Sequence, residues 1–208
     1  MRSFPVRAPG LEDGMARTQG SKAEITGPLV REAAMSLFAR HGYGAVSMRQ
    51  IAAEVGVQVG ALYAYTPEKQ ALLADLLRSH MEELLAAWQD DPTLPALSRL
   101  QAFLRFHIQT SLERPEAVFL SYMELRSLTP DNRREIAALR RRYEDALECI
   151  LTAGEAEGAM RIPDRRLTTM ALISMLTGVT NWYREDGRLD QDHVVAIYWE
   201  LVRGAVGA

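Results

Sequence analysis

Apolar residues return every three to four positions from residue 29 onward: Leu29, Val30, Ala33, Ala34, Leu37 and Phe38 fall on one helical face. Pro28 suits the first turn of that helix, and Gly42 and Gly44 end it. Two much shorter runs follow. Ser47 with Gln50 three residues on has the form of a capping box, in which the hydroxyl and the amide satisfy orphan backbone N–H groups. Ile51, Ala52 and Val55 make the inner side of that helix, and Gly56 suits the left-handed residue after its end. A third helix is expected over 58–65 with Leu62 inward. Thr66 as N-cap and Pro67 then open a fourth, whose Leu72, Leu73, Leu76, Leu77, Met81, Leu84 and Leu85 recur at helical spacing. Prolines at 92, 95, 115, 130 and 163 cut the remainder into helices at about 94–112, 116–127, 131–157, 164–185 and 191–206. No two-residue alternation argues for a strand. The expected fold is all-α, with a three-helix helix-turn-helix domain over 26–70 and a larger helical domain over 71–208. Residues 1–25 lack periodicity and read as a flexible N-terminal arm, within which Met15 is a second candidate start.

Helices of about eight residues are too short to stand alone, so the two around Gly56 must pack on the face carrying Leu29, Ala33, Leu37 and Phe38. Three helices on one small core form a helix-turn-helix unit, which pushes the second short helix outward to where it can enter a DNA major groove. Ser47, Arg49, Tyr63, Tyr65 and Lys69 are donors of the kinds that grip phosphates. The same residues also fit plain structural roles as caps, ring packing and solvated charges.

Charge sharpens the division. The chain has 24 Lys+Arg and 27 Asp+Glu, a net charge of −3, which argues against a general polyanion binder. Residues 1–70 hold 8 basic and 6 acidic residues and 71–208 hold 16 and 21, so basic character is local to the N-terminal third. No apolar run is long enough to span a bilayer and no apolar segment suggests a secretory signal, so a cytoplasmic location is expected. The single cysteine, Cys149, has no disulfide partner and is expected to be a small core residue near Leu147, Ile150 and Leu151.

Residues 71–208 offer no catalytic constellation. His41, His80, His107 and His193 are scattered over different helices without metal-ligand spacing, and no phosphate-loop or nucleophile-elbow motif is present, so neither catalysis nor a metal or cofactor is expected. Soft apolar residues abound instead: Phe103, Phe106, Phe119, Tyr122, Met123, Met160, Met170, Met175 and Trp182. Arg105, His107, Thr177 and Asn181 lie in the same helices and supply the few polar groups that a ligand cavity needs. The expected ligand site is therefore Phe103, Phe106, His107, Tyr122, Met175, Thr177, Asn181 and Trp182.

The stretch from about residue 28 to 75 resembles the DNA-binding region of the TetR family of transcriptional regulators. Ala34, Leu37, Phe38, Gly42 and Tyr43 match one element, Ile51, Ala52, Gly56 and Val57 a second, and Leu62, Tyr63, Tyr65 and Lys69 a third. The resemblance implies DNA contacts at Ser47, Met48, Arg49, Gln58, Val59, Gly60, Ala61, Tyr63, Tyr65 and Lys69. Thr66 stands where the family usually has phenylalanine. Only Gln58 among the residues opening the third helix is a flexible polar reader, so direct base readout is expected to be sparse, with DNA shape and the arm residues Arg17 and Lys22 contributing in a flanking minor groove.

The C-terminal part is similar to one TetR branch, on the marks Gly154 and Gly158, Asp164, Asn181-Trp182-Tyr183, Asp186-Gly187-Arg188-Leu189 and Arg203-Gly204. That similarity implies an acyl-CoA effector, with its apolar part among Phe103, Phe106, Met175 and Trp182 and its phosphates against Arg140, Arg141 or Arg142. The last two helices carry more apolar surface than one core needs. In the family they form a four-helix interface with a second copy, here implying Met170, Ser174, Thr177, Val194, Ile197, Tyr198 and Leu201. The expected partners are thus a palindromic DNA operator, a small apolar effector that releases a repressor from it, and a second copy of the chain. The competing expectation is a helical protein-interaction module that does not read DNA.

Overall fold

A computed structural model describes residues 15–208 along the backbone and 27–208 for side chains. Among the described residues nine α-helices follow one another: α1 Met15–His41, α2 Met48–Val55, α3 Val59–Tyr65, α4 Lys69–Ala87, α5 Ala96–Glu113, α6 Pro115–Met123, α7 Pro130–Ala156, α8 Arg165–Thr177 and α9 Gln191–Ala205. Short 3-10 turns at Tyr43–Ala45, Leu125–Ser127 and Gly178–Asn181 join some of them, and the described residues contain no strand. The all-α expectation holds. None of these helices is long and apolar enough to cross a membrane.

The first three helices pack on one core, although Leu29, expected on the packed face, is 46% exposed and Ala33 is only half-buried. Val30, Ala34 and Phe38 of α1, Ile51 and Ala52 of α2, and Leu62 of α3 are all buried together. The capping box closes as expected: Ser47 Oγ accepts from the Gln50 N–H at 3.3 Å, and the Ser47 N–H donates to Gln50 Oε1 at 2.8 Å. Gly56 ends α2 at φ 75° and ψ 28°, a left-handed conformation. A Cβ there would meet nothing within 4 Å, so the demand for glycine is purely backbone. Gly56→Ala should therefore lower stability by about 1–2 kcal/mol and leave no packing defect. A thermal melt checks this; an unchanged midpoint would show that the turn relaxes.

Leu72 and Leu73 of α4 join this small core, and Leu76, Leu77 and Met81 carry it without a break into the larger bundle of α5 to α9. There Leu100, Phe103 and Leu104 meet Leu147, Ile150 and Leu151, with Leu172, Leu176, Val194 and Val195 closing the far side. Helix α4 thus contributes to the packing of both parts.

Several boundaries differ from expectation. Helix α1 begins at Met15 and runs through Pro28. Helix-forming residues such as Ala16, Gln19 and Ala23 extend it upstream of the proline. The arm expected over 1–25 therefore overlaps α1, its residues 1–14 lie outside the described residues, and so do the side chains of Arg17 and Lys22. Thr66 closes α3 instead of capping α4: its N–H donates to the Leu62 carbonyl at 2.9 Å, and α4 starts at Lys69 behind Glu68. Helix α8 stops at Thr177, where Thr180 Oγ1 donates back to the Thr177 carbonyl at 3.0 Å and helps to draw the chain into a tighter turn. Cys149 is exposed rather than in the core, one position off the face formed by Leu147, Ile150 and Leu151.

Candidate nucleic-acid interface and effector cavity

Helix α3 presents its outer side to solvent because Leu62 alone of its residues is fully buried. Gln58 at its N-cap, Gly60, Ala61, Tyr63 and Tyr65 are exposed, as are Ser47 and Arg49 on α2. Open space surrounds Gly60, so an approaching groove wall meets no side chain there. The Tyr65 ring lies against α1 at Gly27, where any Cβ would sit 2.6 Å from the ring edge. That close approach holds the hydroxyl end of the ring beside α1 while the residue stays 41% exposed.

Three expected DNA contacts take other roles. Met48 is buried in the core of the head, because the first residue of α2 turns its side chain under the helix. Val59 is half-buried and packs on the same core. Lys69 donates from Nζ to the Tyr43 carbonyl at 2.8 Å and the Val46 carbonyl at 2.7 Å, and lies 4.2 Å from the Tyr43 ring centroid. With two of its three N–H donors turned inward, Lys69 first clamps the loop between α1 and α2. The ring pattern of Tyr43 was visible in sequence, but nothing local showed that Lys69, 26 positions on, folds back over it.

In the larger bundle a small cavity of about 40 Å³, open at one side where Tyr122 reaches the surface, lies among α4, α5, α6, α7 and α8. Its walls include His80, Met81 and Leu84 of α4, His107, Thr110 and Ser111 of α5, Val118, Ser121 and Tyr122 of α6, Arg140, Tyr143 and Glu144 of α7, and Ile173 and Thr177 of α8. A chain of hydrogen bonds lines it: His107 Nδ1 with Tyr143 OH at 3.0 Å, His107 Nε2 with Thr177 Oγ1 at 2.9 Å, and Tyr122 OH with Thr177 Oγ1 at 3.1 Å. Arg140 covers the Tyr122 ring at 4.7 Å and donates to the Ser121 carbonyl at 3.1 Å.

Burial keeps this network neutral. It lowers the His107 pKa to about 4, with the neighbouring His80 adding to the effect, and pushes the Tyr143 phenol well up. His80 is likewise lowered to about 4, first by burial and then by Arg114 and Arg140. A mostly apolar cavity with a row of uncharged hydrogen-bonding groups and the charged Arg140 and Glu144 at its wall suits a largely apolar guest bearing a few hydrogen-bonding atoms.

Of the expected ligand residues, His107, Tyr122 and Thr177 meet in this cavity. Phe103 is fully buried behind His107, and Phe106 packs on Trp88. Met175 is half-buried outside the lining, while Asn181 and Trp182 are exposed beyond the end of α8, with Trp182 stacked on Tyr198. The early end of α8 moved both of them out. Arg141 pairs with Asp145 on the surface, so Arg140 is the one of the three candidate arginines on the cavity wall. The lining by His80 was missed. Its signal is a histidine in the apolar row Leu77, His80, Met81 and Leu84 of α4, a row that only a packed neighbour can turn into a pocket. His80 also borders an open groove of about 940 Å³ between α1, α4 and α6.

A third feature is apolar and exposed. Leu167 and Met170 on α8 and Ile197 and Leu201 on α9 are 61%, 42%, 48% and 53% exposed. Ser174 is exposed and Tyr198 half-buried on the same pair of helices. Two expected interface residues belong inside instead: Val194 is buried in the chain's own core, and Thr177 is committed to His107 and Tyr122.

An outward-facing short helix on a three-helix head, borne on a larger helical bundle with a cavity, defines a two-domain helix-turn-helix regulator. Residues 30–76 match the family described as bacterial regulatory proteins of the tetR family, and residues 93–206 match the tetracyclin repressor-like C-terminal domain. The chain belongs to the TetR family of transcriptional regulators, whose members are regulators rather than enzymes. It is 29% identical over 204 residues to the HTH-type transcriptional repressor KstR2 of Mycobacterium tuberculosis, covering 92% of this chain and 98% of that one. A crystal structure of a TetR-family protein from Rhodococcus RHA1 superposes with a TM-score of 0.82 at 28% identity, over 87% of this chain and 96% of the other. AibR in complex with isovaleryl coenzyme A and operator DNA shares the fold, with a TM-score of 0.77 at 24% identity over 87% and 98% of the two chains.

Proposed function

We propose that the chain is a dimeric repressor that leaves a palindromic operator when an apolar effector, of the acyl-CoA class, enters the α4–α8 cavity. The observation that carries this reading is the neutral His107, Tyr143 and Thr177 row in a mostly apolar cavity bordered by α4, the helix that continues into the head. AibR, of the same fold, is known with an acyl-CoA and operator DNA, which supports that effector class. At about 40 Å³ the cavity has room for little more than water, so an acyl chain must part the helices to enter. That requirement links binding to a change of shape. The groove beside His80 is a poor place for polyanionic phosphates. Its Arg31 and Arg114 are paired with Asp75 and Glu83, and Glu32, Glu113 and Glu116 leave it acidic.

The exposed residues Ser47, Arg49, Gln58, Gly60, Ala61, Tyr63 and Tyr65 are the proposed DNA contacts, with Lys69 in support through its remaining N–H. Selection from random duplexes, followed by anisotropy with the selected operator and addition of isovaleryl-CoA or longer acyl-CoA esters, tests the reading. Operator affinity should fall linearly in log salt concentration and fall again with the thioester. Arg49→Ala should weaken binding about tenfold and reduce the salt slope by about one. Failure to select any duplex would overturn the regulator reading, and indifference to every thioester would overturn the effector class.

A further inference from the structure

We propose that Glu124 is the positioning residue through which the cavity acts on the head. This inference rests on the reading of the cavity as the effector site, and it places the coupling in α6 rather than in a tilt of α4 alone. Glu124 caps the C-terminus of α6 and is only 6% exposed. Its Oε1 accepts the Tyr43 backbone N–H at 3.0 Å, and its Oε2 accepts the Ser127 hydroxyl at 2.6 Å.

Tyr43 is held at every polar atom. Beyond the N–H, its carbonyl accepts from Lys69 and its hydroxyl accepts from the Gln70 amide at 3.2 Å. Gln70 also donates to the Ser127 carbonyl at 2.9 Å and accepts from the Thr129 N–H at 3.1 Å, which ties the knot to the segment that follows α6. The Tyr43 ring packs edge-on against Phe38 with centroids 5.3 Å apart. Four residues later Ser47 caps α2, so a displacement of Tyr43 moves the start of the reading head.

The other end of the lever is the cavity. Val118, Ser121 and Tyr122 of α6 form one wall, held shut by the bonds from Arg140 to the Ser121 carbonyl and between Tyr122 and Thr177. A guest that parts the helices must break or bend those bonds and shift α6. From Ser121 to Glu124 is one helical turn, about 5 Å. Along α4, from His80 back to Lys69, the path is about 16 Å. The shorter rigid path carries a sub-ångström shift with less loss, and the carboxylate delivers it to an N–H whose neighbours allow it no slack.

The test needs no effector. Thr110→Phe, on the α5 wall, overfills the cavity, and Thr110→Met does so more mildly if the first variant fails to fold. In the full-length chain, hydrogen exchange at the amides of residues 43–46 should rise about tenfold, and affinity for the selected operator should fall about tenfold, within the usual 5- to 150-fold range of coupling. In a Glu124→Ala background the same filling should change operator affinity less than about twofold. Glu124→Gln keeps a carbonyl oxygen for the Tyr43 N–H and should restore most of the response. An equal loss of affinity with and without Glu124, or exchange at 43–46 that ignores a filled cavity, would overturn the proposal. The exchange measurement involves no DNA, so it decides the fate of the latch even if no operator can be selected.

Discussion

Acidifying the protein from pH 7.5 to pH 5 should destabilise it by roughly 4 kcal/mol, about 2 from each of two buried histidines. His80 and His107 are lowered from 6.5 to about 4 in the folded chain, both chiefly by burial. Below pH 6.5 the unfolded chain binds two protons that the folded chain refuses until about pH 4. The stability is therefore complete above 6.5 and drains away as the pH falls through that window. Carboxylates such as Glu135, held below their ordinary range by Arg78, come into play only at still lower pH. For a chain of this length the melting temperature should drop by roughly 10 °C at constant protein concentration. His80→Asn and His107→Asn should each remove about half of the pH dependence, whatever their effect on the melting temperature at pH 7.5. A melting temperature equal at both pH values would mean that the two imidazoles are not held neutral by burial.

The pair Ile197→Glu and Leu201→Glu should turn the dimer into monomers and weaken operator binding at least a hundredfold. The two residues are about half exposed and one turn apart on α9, so the substitutions cost the single chain little. In a two-fold interface each would appear twice, bringing four carboxylates into an apolar seam where an unpaired buried charge costs several kcal/mol. A monomer carries one head and can engage only half of a palindrome. Light scattering should report half the mass with an unchanged helical circular dichroism spectrum. A variant that remains dimeric would show that the seam lies elsewhere, and the exposed Leu167 and Met170 on α8 would then need another explanation.

Legibility in the sequence followed the range of the interactions involved. The head was readable because its signals are local: the Ser47 and Gln50 box, the left-handed Gly56 and the inward Leu62 are each fixed within a few residues of chain. The matching TetR elements lie in the same stretch, so fold and family were both within reach. The cavity was only partly readable. His107, Tyr122 and Thr177 stand out in the sequence as polar or aromatic residues on apolar helices, but 70 residues separate His107 from Thr177, and their bond depends on how α5 and α8 cross. Trp182 and Asn181 were misplaced because a single turn at Gly178 takes the chain off the helix axis. Met48, expected at the DNA only through the family resemblance, and Lys69, a charge in a first helical turn, both take inward positions set by their neighbours.

The sequence by itself determined the all-helical architecture, the outward recognition helix and the apolar excess of the last two helices, since periodicity and capping act over one or two turns. Tertiary packing alone decided that two histidines distant in the chain line one cavity, that Lys69 clamps a loop rather than standing free, and that Glu124 reaches the N–H of Tyr43. Those depend on interhelical distances, which side-chain volumes and crossing geometry set only once the whole bundle has closed.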